Sequence, residues 1–303
     1  MFTKIFKIGL LILIILAVLL FGGITYFTNN ILSDMSNTRV ETSSDLIDEY
    51  SLLIDNVNVK TSDGLDINAW HFSRENPKAI AIVIHGMHGQ SAASLLNFGK
   101  FFYDNNFASF CLDLRAHGRS DGNQIGFGYT ETKDVKALID WISRQEIYEN
   151  KDILLYGISM GGATAINSAA KFPTIDMVIS VSSFASYEET FLDYMRKDGI
   201  PEIIVQAFKP SIRLLLALKY DTNPMLAAPI NTIENVEQPV FLIHGNKDEQ
   251  ILVKQANKLK ESAGNNAKLW IVADKKHMVV TDILKEGNQW YRESILKYIK
   301  QNM

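Results

Sequence analysis

Gly157-Ile158-Ser159-Met160-Gly161 is the segment of this chain best suited to covalent chemistry. It has the form G-x-S-x-G, in which a serine sits on a sharp strand-to-helix turn with its hydroxyl exposed. So tight a turn leaves no room for side chains two residues before or after the serine, and Gly157 and Gly161 fill those places. An apolar run (ILLY) precedes the turn, and a helical pattern rich in small residues (MGGATAINSAA) follows it. That helix would point its free N–H groups and positive dipole end at the serine.

A serine hydroxyl is a poor nucleophile at neutral pH and needs a base. With this kind of turn the chain order is serine, acid, histidine. Six histidines are present, and only His244 and His277 follow Ser159. His244 ends an apolar strand, whereas His277 lies in a loop after the last strand and can reach over the sheet, so His277 is the expected base. A carboxylate must fix its tautomer and stabilise the imidazolium. Asp248, in Gly245-Asn246-Lys247-Asp248-Glu249, is the expected partner; Glu249 and Asp274 are its rivals, and Asp274 shares the short loop of His277.

The developing oxyanion needs donors. The loop His85-Gly86-Met87-His88-Gly89 carries two glycines that allow close backbone approach, so the N–H groups of Met87 and Met160 are the expected pair. His85 and His88 find no third ligand at metal spacing. Neither metal nor cofactor is expected.

The elements that must hold these residues alternate along the chain. A hairpin, Val57–Lys60 with Leu65–Phe72, is followed by strands at Ala79–His85, Ala108–Leu114, Ile153–Gly157, Met177–Ser182, Val240–His244 and Lys268–Ala273, with helical patterns between them. Repeated βα units argue for one mostly parallel sheet with helices on both faces and functional residues at the carboxyl ends of its strands. Residues 186–235 interrupt the alternation with helical patterns at Glu188–Arg196, Pro201–Phe208 and Ser211–Leu218, which read as a lid over the site. Phe191 and Phe208 are candidates for its apolar inner face.

The composition is that of a folded chain: 47% of the 303 residues are apolar and 21% charged, which excludes a disordered tail and a coiled coil. A net charge of -4 argues against a nucleic-acid partner. Cys111 stands alone, which excludes an intrachain disulfide and a cysteine zinc site. Ile8 to Phe27 is uncharged and nearly all apolar. Its length matches a hydrocarbon core of about 30 Å. Lys4 and Lys7 precede it and a mixed set, Asp34, Arg39 and Glu41, follows. The positive-inside rule then keeps the N-terminus in the cytoplasm and puts the remainder outside the cell membrane. A cleaved signal peptide and secretion are the alternative, with only Gly23 and Thr25 as a weak cleavage signal. The expected organisation is an anchor over residues 1–27, a polar stalk over 28–49 and one domain over 50–303 that includes the cap.

HGMHG, DLRAHGRSDG, GISMG, HGNKDEQ and KKH, in this order and spacing, resemble the α/β-hydrolase superfamily, and within it membrane-anchored bacterial serine hydrolases of the serine-aminopeptidase-like type. The resemblance covers residues 50–300. It implies an α/β-hydrolase fold, an eight-stranded mostly parallel sheet whose second strand is antiparallel. It also implies Ser159 as nucleophile, Asp248 as acid, His277 as base, and Met87 and Met160 as oxyanion donors. The common form of the Asp113–Ser120 loop has glycine where this chain has Ala116. The expected activity is hydrolysis of an ester, thioester or amide in a small-molecule acyl substrate, with the bilayer as second partner through the N-terminal helix. An aminopeptidase-like peptidase, a catalytically silent surface binding protein and a membrane scaffold are the competing readings.

Overall fold

The computed structural model describes residues 2–41, 45–88, 91–220 and 223–303. Gly89, the second glycine of the expected oxyanion loop, and Thr42 to Ser44 of the expected stalk lie outside the described residues. Eight strands form one sheet: β1 (Asp55–Lys60), β2 (Asp66–Phe72), β3 (Ala79–Ile84), β4 (Phe107–Leu112), β5 (Ile153–Ile158), β6 (Met177–Val181), β7 (Val240–Gly245) and β8 (Ala267–Val272). Their spatial order is β1-β2-β4-β3-β5-β6-β7-β8. β2 runs antiparallel to both its neighbours and every other pair is parallel, as the resemblance implies.

The apolar run in β3 is explained by burial on both faces. Ile80, Ile82 and Ile84 point into one core layer, and Ala79, Ala81 and Val83 into the other. β5 divides in the same way, with Leu155 on the first side and Leu154 and Tyr156 on the second. The first layer is completed by α4 (Thr132–Ile142) and α5 (Met160–Ala169), the second by α3 (Leu96–Asp104) and α10 (Gln289–Asn302). α9 (Val253–Ala263) packs beside β7 and β8, and α2 (Asp45–Tyr50) lies near α3.

Two features depart from the sequence reading. The expected helices at Pro201–Phe208 and Ser211–Leu218 are one helix, α7 (Glu202–Tyr220), which runs through Pro210. It follows α6 (Tyr187–Lys197), and a short helix, α8 (Pro229–Thr232), leads back to β7. The N-terminal helix α1 (Phe2–Ser36) does not stop at Phe27. Its last turns pack on α7: Phe27 meets Phe208 edge-on, Thr25 and Ser211 share a hydrogen bond, and Leu32 and Ser36 are buried. Beyond α1, Val40 pairs through its backbone with Ala116 and Gly118, and Arg39 donates to carbonyls of Gly118 and Ser120.

Candidate active site

Ser159 stands between β5 and α5 with φ 55 and ψ -118, in the left-handed half of backbone space that side chains avoid. Its N–H donates to Val181 O at 2.8 Å, which locks the turn to the end of β6. The two glycines are required by contact. A Cβ on Gly157 would lie 2.2 Å from Gly161 O, and one on Gly161 would lie 2.2 Å from Ile84 O and 2.5 Å from His85 O. The Ser159 turn and the loop that follows β3 therefore touch backbone to backbone.

Asp248 is buried at the turn after β7 and accepts from four directions. Oδ1 takes the N–H groups of Gln250 and Ile251, each at 2.9 Å. Oδ2 takes His277 Nδ1 at 2.8 Å and lies 3.2 Å from His244 Nε2. Burial alone would raise this carboxyl; hydrogen bonds from His244 and His277 overcome it and hold the group at about 2. A carboxylate can only accept, so Nδ1 of His277 carries its proton here and Nε2 is left for exchange. Asp274, one rival, is exposed and paired with Lys247 at 2.6 Å; Glu249, the other, is exposed and paired with Lys197 at 3.3 Å.

The histidine loop is fastened from two sides. Lys247 N–H donates to Lys275 O at 2.8 Å, and the Ser182 hydroxyl donates to His277 O at 2.6 Å. Gly245 lets this loop close down, since a Cβ there would stand 2.3 Å from Lys275 O. His244, at the end of its strand, reads from the sequence as structural; Ser182 as a support was missed.

Met87, Met160, Ser159 and His277 line one cavity of ≈ 410 Å³. Met160 opens α5 and Met87 follows β3, so their backbones flank the serine from two elements. The other two histidines of this region are tied to backbone. His85 Nδ1 donates to Gly86 O at 2.6 Å while Nε2 accepts from Leu114 N–H at 3.0 Å; burial and the nearby His117 ring keep it neutral, well below its usual range. His88 Nε2 donates to Met35 O at 2.7 Å. Ala116 has φ 62, which explains why a glycine suits that position.

The roof of the cavity is Phe184, Tyr187, Thr190 and Tyr194, and one wall is Met35 of α1. Phe191 and Phe208 are not among the lining residues; both are buried in the core between the cap and its neighbours. The acids of the cap also face elsewhere. Glu188 pairs with Arg213 and Lys209, Glu189 with Lys209, and Asp193 with Arg196 and Lys254.

Comparison with known proteins agrees with this architecture. A family model described as serine aminopeptidase, S33, matches residues 75–222, just under half of the chain. The uncharacterized protein YqkD of Bacillus subtilis (strain 168) is 22% identical over 244 residues, which cover 80% of this chain and 77% of that one. The uncharacterized membrane protein YNL320W of Saccharomyces cerevisiae is 25% identical over 143 residues, 47% of this chain and 50% of its own. Among solved structures, the Pyrococcus furiosus esterase Pf2001 superimposes with a TM-score of 0.71 at 21% identity, over 89% of this chain and 98% of that chain. With the strand order described above, these likenesses show that the chain has the α/β-hydrolase fold.

Proposed function

We propose that this protein is a membrane-anchored serine hydrolase that cleaves carboxylic esters through an acyl-enzyme. The observation that carries the reading is convergence: Ser159 and His277 line one cavity, and Asp248 holds His277 by Nδ1 at 2.8 Å. In this mechanism His277 Nε2 takes the proton of Ser159 as Oγ adds to the acyl carbon. Asp248 stabilises the imidazolium that forms. The N–H groups of Met87 and Met160 donate hydrogen bonds to the negative charge that forms on the former carbonyl oxygen. His277 then gives its proton to the departing alkoxide, leaving the acyl group on Ser159. Water, deprotonated by His277, releases the acid and restores the serine. Every proton removed is returned, so the cycle needs no cofactor. Thioesters and amides are substrates by the same steps.

An aminopeptidase is the second reading, favoured by the family model. It would need a carboxylate in the cavity to hold a free amine. Glu188, Glu189 and Asp193 are instead engaged with cations, which favours the ester.

The α1 helix is long and apolar enough to cross a membrane over its Lys4–Ser36 stretch. We assign it as an uncleaved signal anchor with the N-terminus cytoplasmic and the hydrolase domain outside, because Lys4 and Lys7 flank its first turns. Residues 1–27 would form the anchor, and residues 50–303 the hydrolase domain with 186–235 as its cap.

A fluorophosphonate probe tests the chemistry. Wild-type protein should label covalently and Ser159→Ala should not. A folded wild-type protein that fails to label would turn the reading toward a surface binding protein.

A further inference from the structure

The α7 helix carries an apolar stripe that nothing in the described residues covers. Ile203, Ala207, Pro210, Leu214 and Leu218 recur at helical spacing and all are exposed, Ile203 at 83% and Leu218 at 73%. The stripe runs about 22 Å along the helix. Its opposite face, with Val205, Ile212 and Leu216, is fully buried, so exposure here is not a failure to fold. Stripes of this kind on a water-facing surface mark a docking site.

The geometry of α1 identifies the occupant. Thr25 meets Ser211 at 3.0 Å and Lys219 meets Ser33 at 3.5 Å. The two contacts are separated by the same number of residues on each helix, so α1 and α7 run parallel and in step. Continuing that register downward brings Ile203 and Ala207 level with Ala17 and Phe21, inside the apolar segment. Residues 4–23 of α1 remain exposed, so the start of α7 stands beside the anchor rather than against it, with the stripe open between. Tyr26 and Phe27, both mostly exposed, sit at the level where aromatic residues mark a membrane surface. Met35, eight residues past Phe27 and so about 12 Å higher, already lines the cavity.

We propose that the lower part of the α7 stripe, from Ile203 to Pro210, meets the outer leaflet beside α1, and that the cavity takes its substrate from that leaflet: an ester whose long acyl chain is resident in the bilayer. This rests on the esterase and anchor assignments above. By the same register Leu218 stands level with Leu32, about one turn below Met35, so the stripe leads from the acyl region toward the cavity wall.

The test uses the full chain reconstituted in phosphatidylcholine vesicles. Single cysteines at Ile203, Leu218 and, as control, the exposed Ile147 on the turn before β5 are labelled with an environment-sensitive fluorophore; Cys111 is buried and stays unlabelled. Lipids with brominated acyl chains should quench the label at 203 strongly, at 218 less, and at 147 hardly at all. In parallel, Ile203→Asp with Leu218→Asp should lower kcat/KM on a vesicle-embedded long-chain ester about tenfold, because a charge in the apolar layer is costly. Turnover of soluble p-nitrophenyl acetate should stay unchanged, which also reports that the variant is folded. Quenching at 203 no greater than at 147 overturns the proposal, including the case in which a second copy of the chain covers the stripe and shields the label. Equal loss on both esters overturns it too. Absence of any turnover of p-nitrophenyl acetate by the wild type, with strong quenching at 203, would instead overturn the esterase assignment and leave the membrane contact standing.

Discussion

At Gly161, on the floor of the cavity, an added Cβ would stand 2.2 Å from a neighbouring carbonyl; at Tyr194, in the roof, 39% of the side chain still meets solvent. The floor is built from backbone. Ser159, His277 and Asp248 sit at the ends of β5, β8 and β7, and the loops that carry them are joined by N–H to carbonyl bonds and by glycines with no spare volume. The roof is built from side chains, with ion pairs such as Glu188–Arg213 and Asp193–Lys254 at its surface and aromatic stacking of Tyr187 on Phe127 below. The floor's backbone contacts admit only glycine at Gly157, Gly161 and Gly245 and otherwise depend little on side chains, whereas the roof's contacts change with each substitution. On the proposed function, the reacting groups are held by the sheet and selectivity falls to the helices above it.

This contrast can be broken by mutation. Ser159→Ala should reduce turnover by about 10⁶-fold with an unchanged melting temperature, since only the attacking atom is lost. Asp248→Asn should cost about 10⁴-fold in kcat by disturbing the His277 tautomer. If Asp274→Asn or Glu249→Gln lost more than Asp248→Asn, the floor would have been assigned wrongly. Acid should discriminate too. Asp248 titrates at about 2 in the folded protein, below its ordinary value, so the stability it contributes is present above about pH 4 and is lost as pH falls toward 2. Urea midpoints measured from pH 5 to pH 2 should fall less steeply for Asp248→Asn than for the wild type.

Changes in the roof should act on preference instead. Burying each methylene is worth about 0.8 kcal/mol, or about fourfold in kcat/KM. Rates on p-nitrophenyl esters should rise from acetate to medium chains and then fall, and Tyr194→Ala should flatten that rise while moving acetate by less than about threefold. Smallest of all, Arg213→Ala should cost at most about 1 kcal/mol of stability and leave kcat unchanged, as expected for a partly exposed ion pair.

The floor was legible in the sequence because local rules dictate it. Gly157 and Gly161 announce the turn, and the β-branched run at Ala79–Ile84 announces a strand buried twice. The roof was much less so. Phe191 and Phe208 read as lining residues, but apolar character does not say which side of a helix faces a cavity; Phe208 is occupied by Phe27 of α1. That partner lies far away in the chain, and no periodicity records it. The same distance hid the end of α1. Residues 28–36 are polar enough to read as a stalk, yet Thr28, Leu32 and Ser36 are spaced four apart and are all buried against the domain. The helical patterns read as two separate helices lie on either side of Pro210, and the packing of Val205, Ile212 and Leu216 carries α7 past it.

Met35 has a consequence for modularity. An N-terminal apolar helix is commonly an interchangeable address label, replaceable by any other of equal length. Here the label's last turns supply a wall of the cavity and, through the Met35 carbonyl, the partner of His88 on the oxyanion loop. On the proposed anchoring, exchanging residues 1–36 for an unrelated membrane helix would preserve where the protein resides and alter what it accepts, so that location and selectivity would be inherited together.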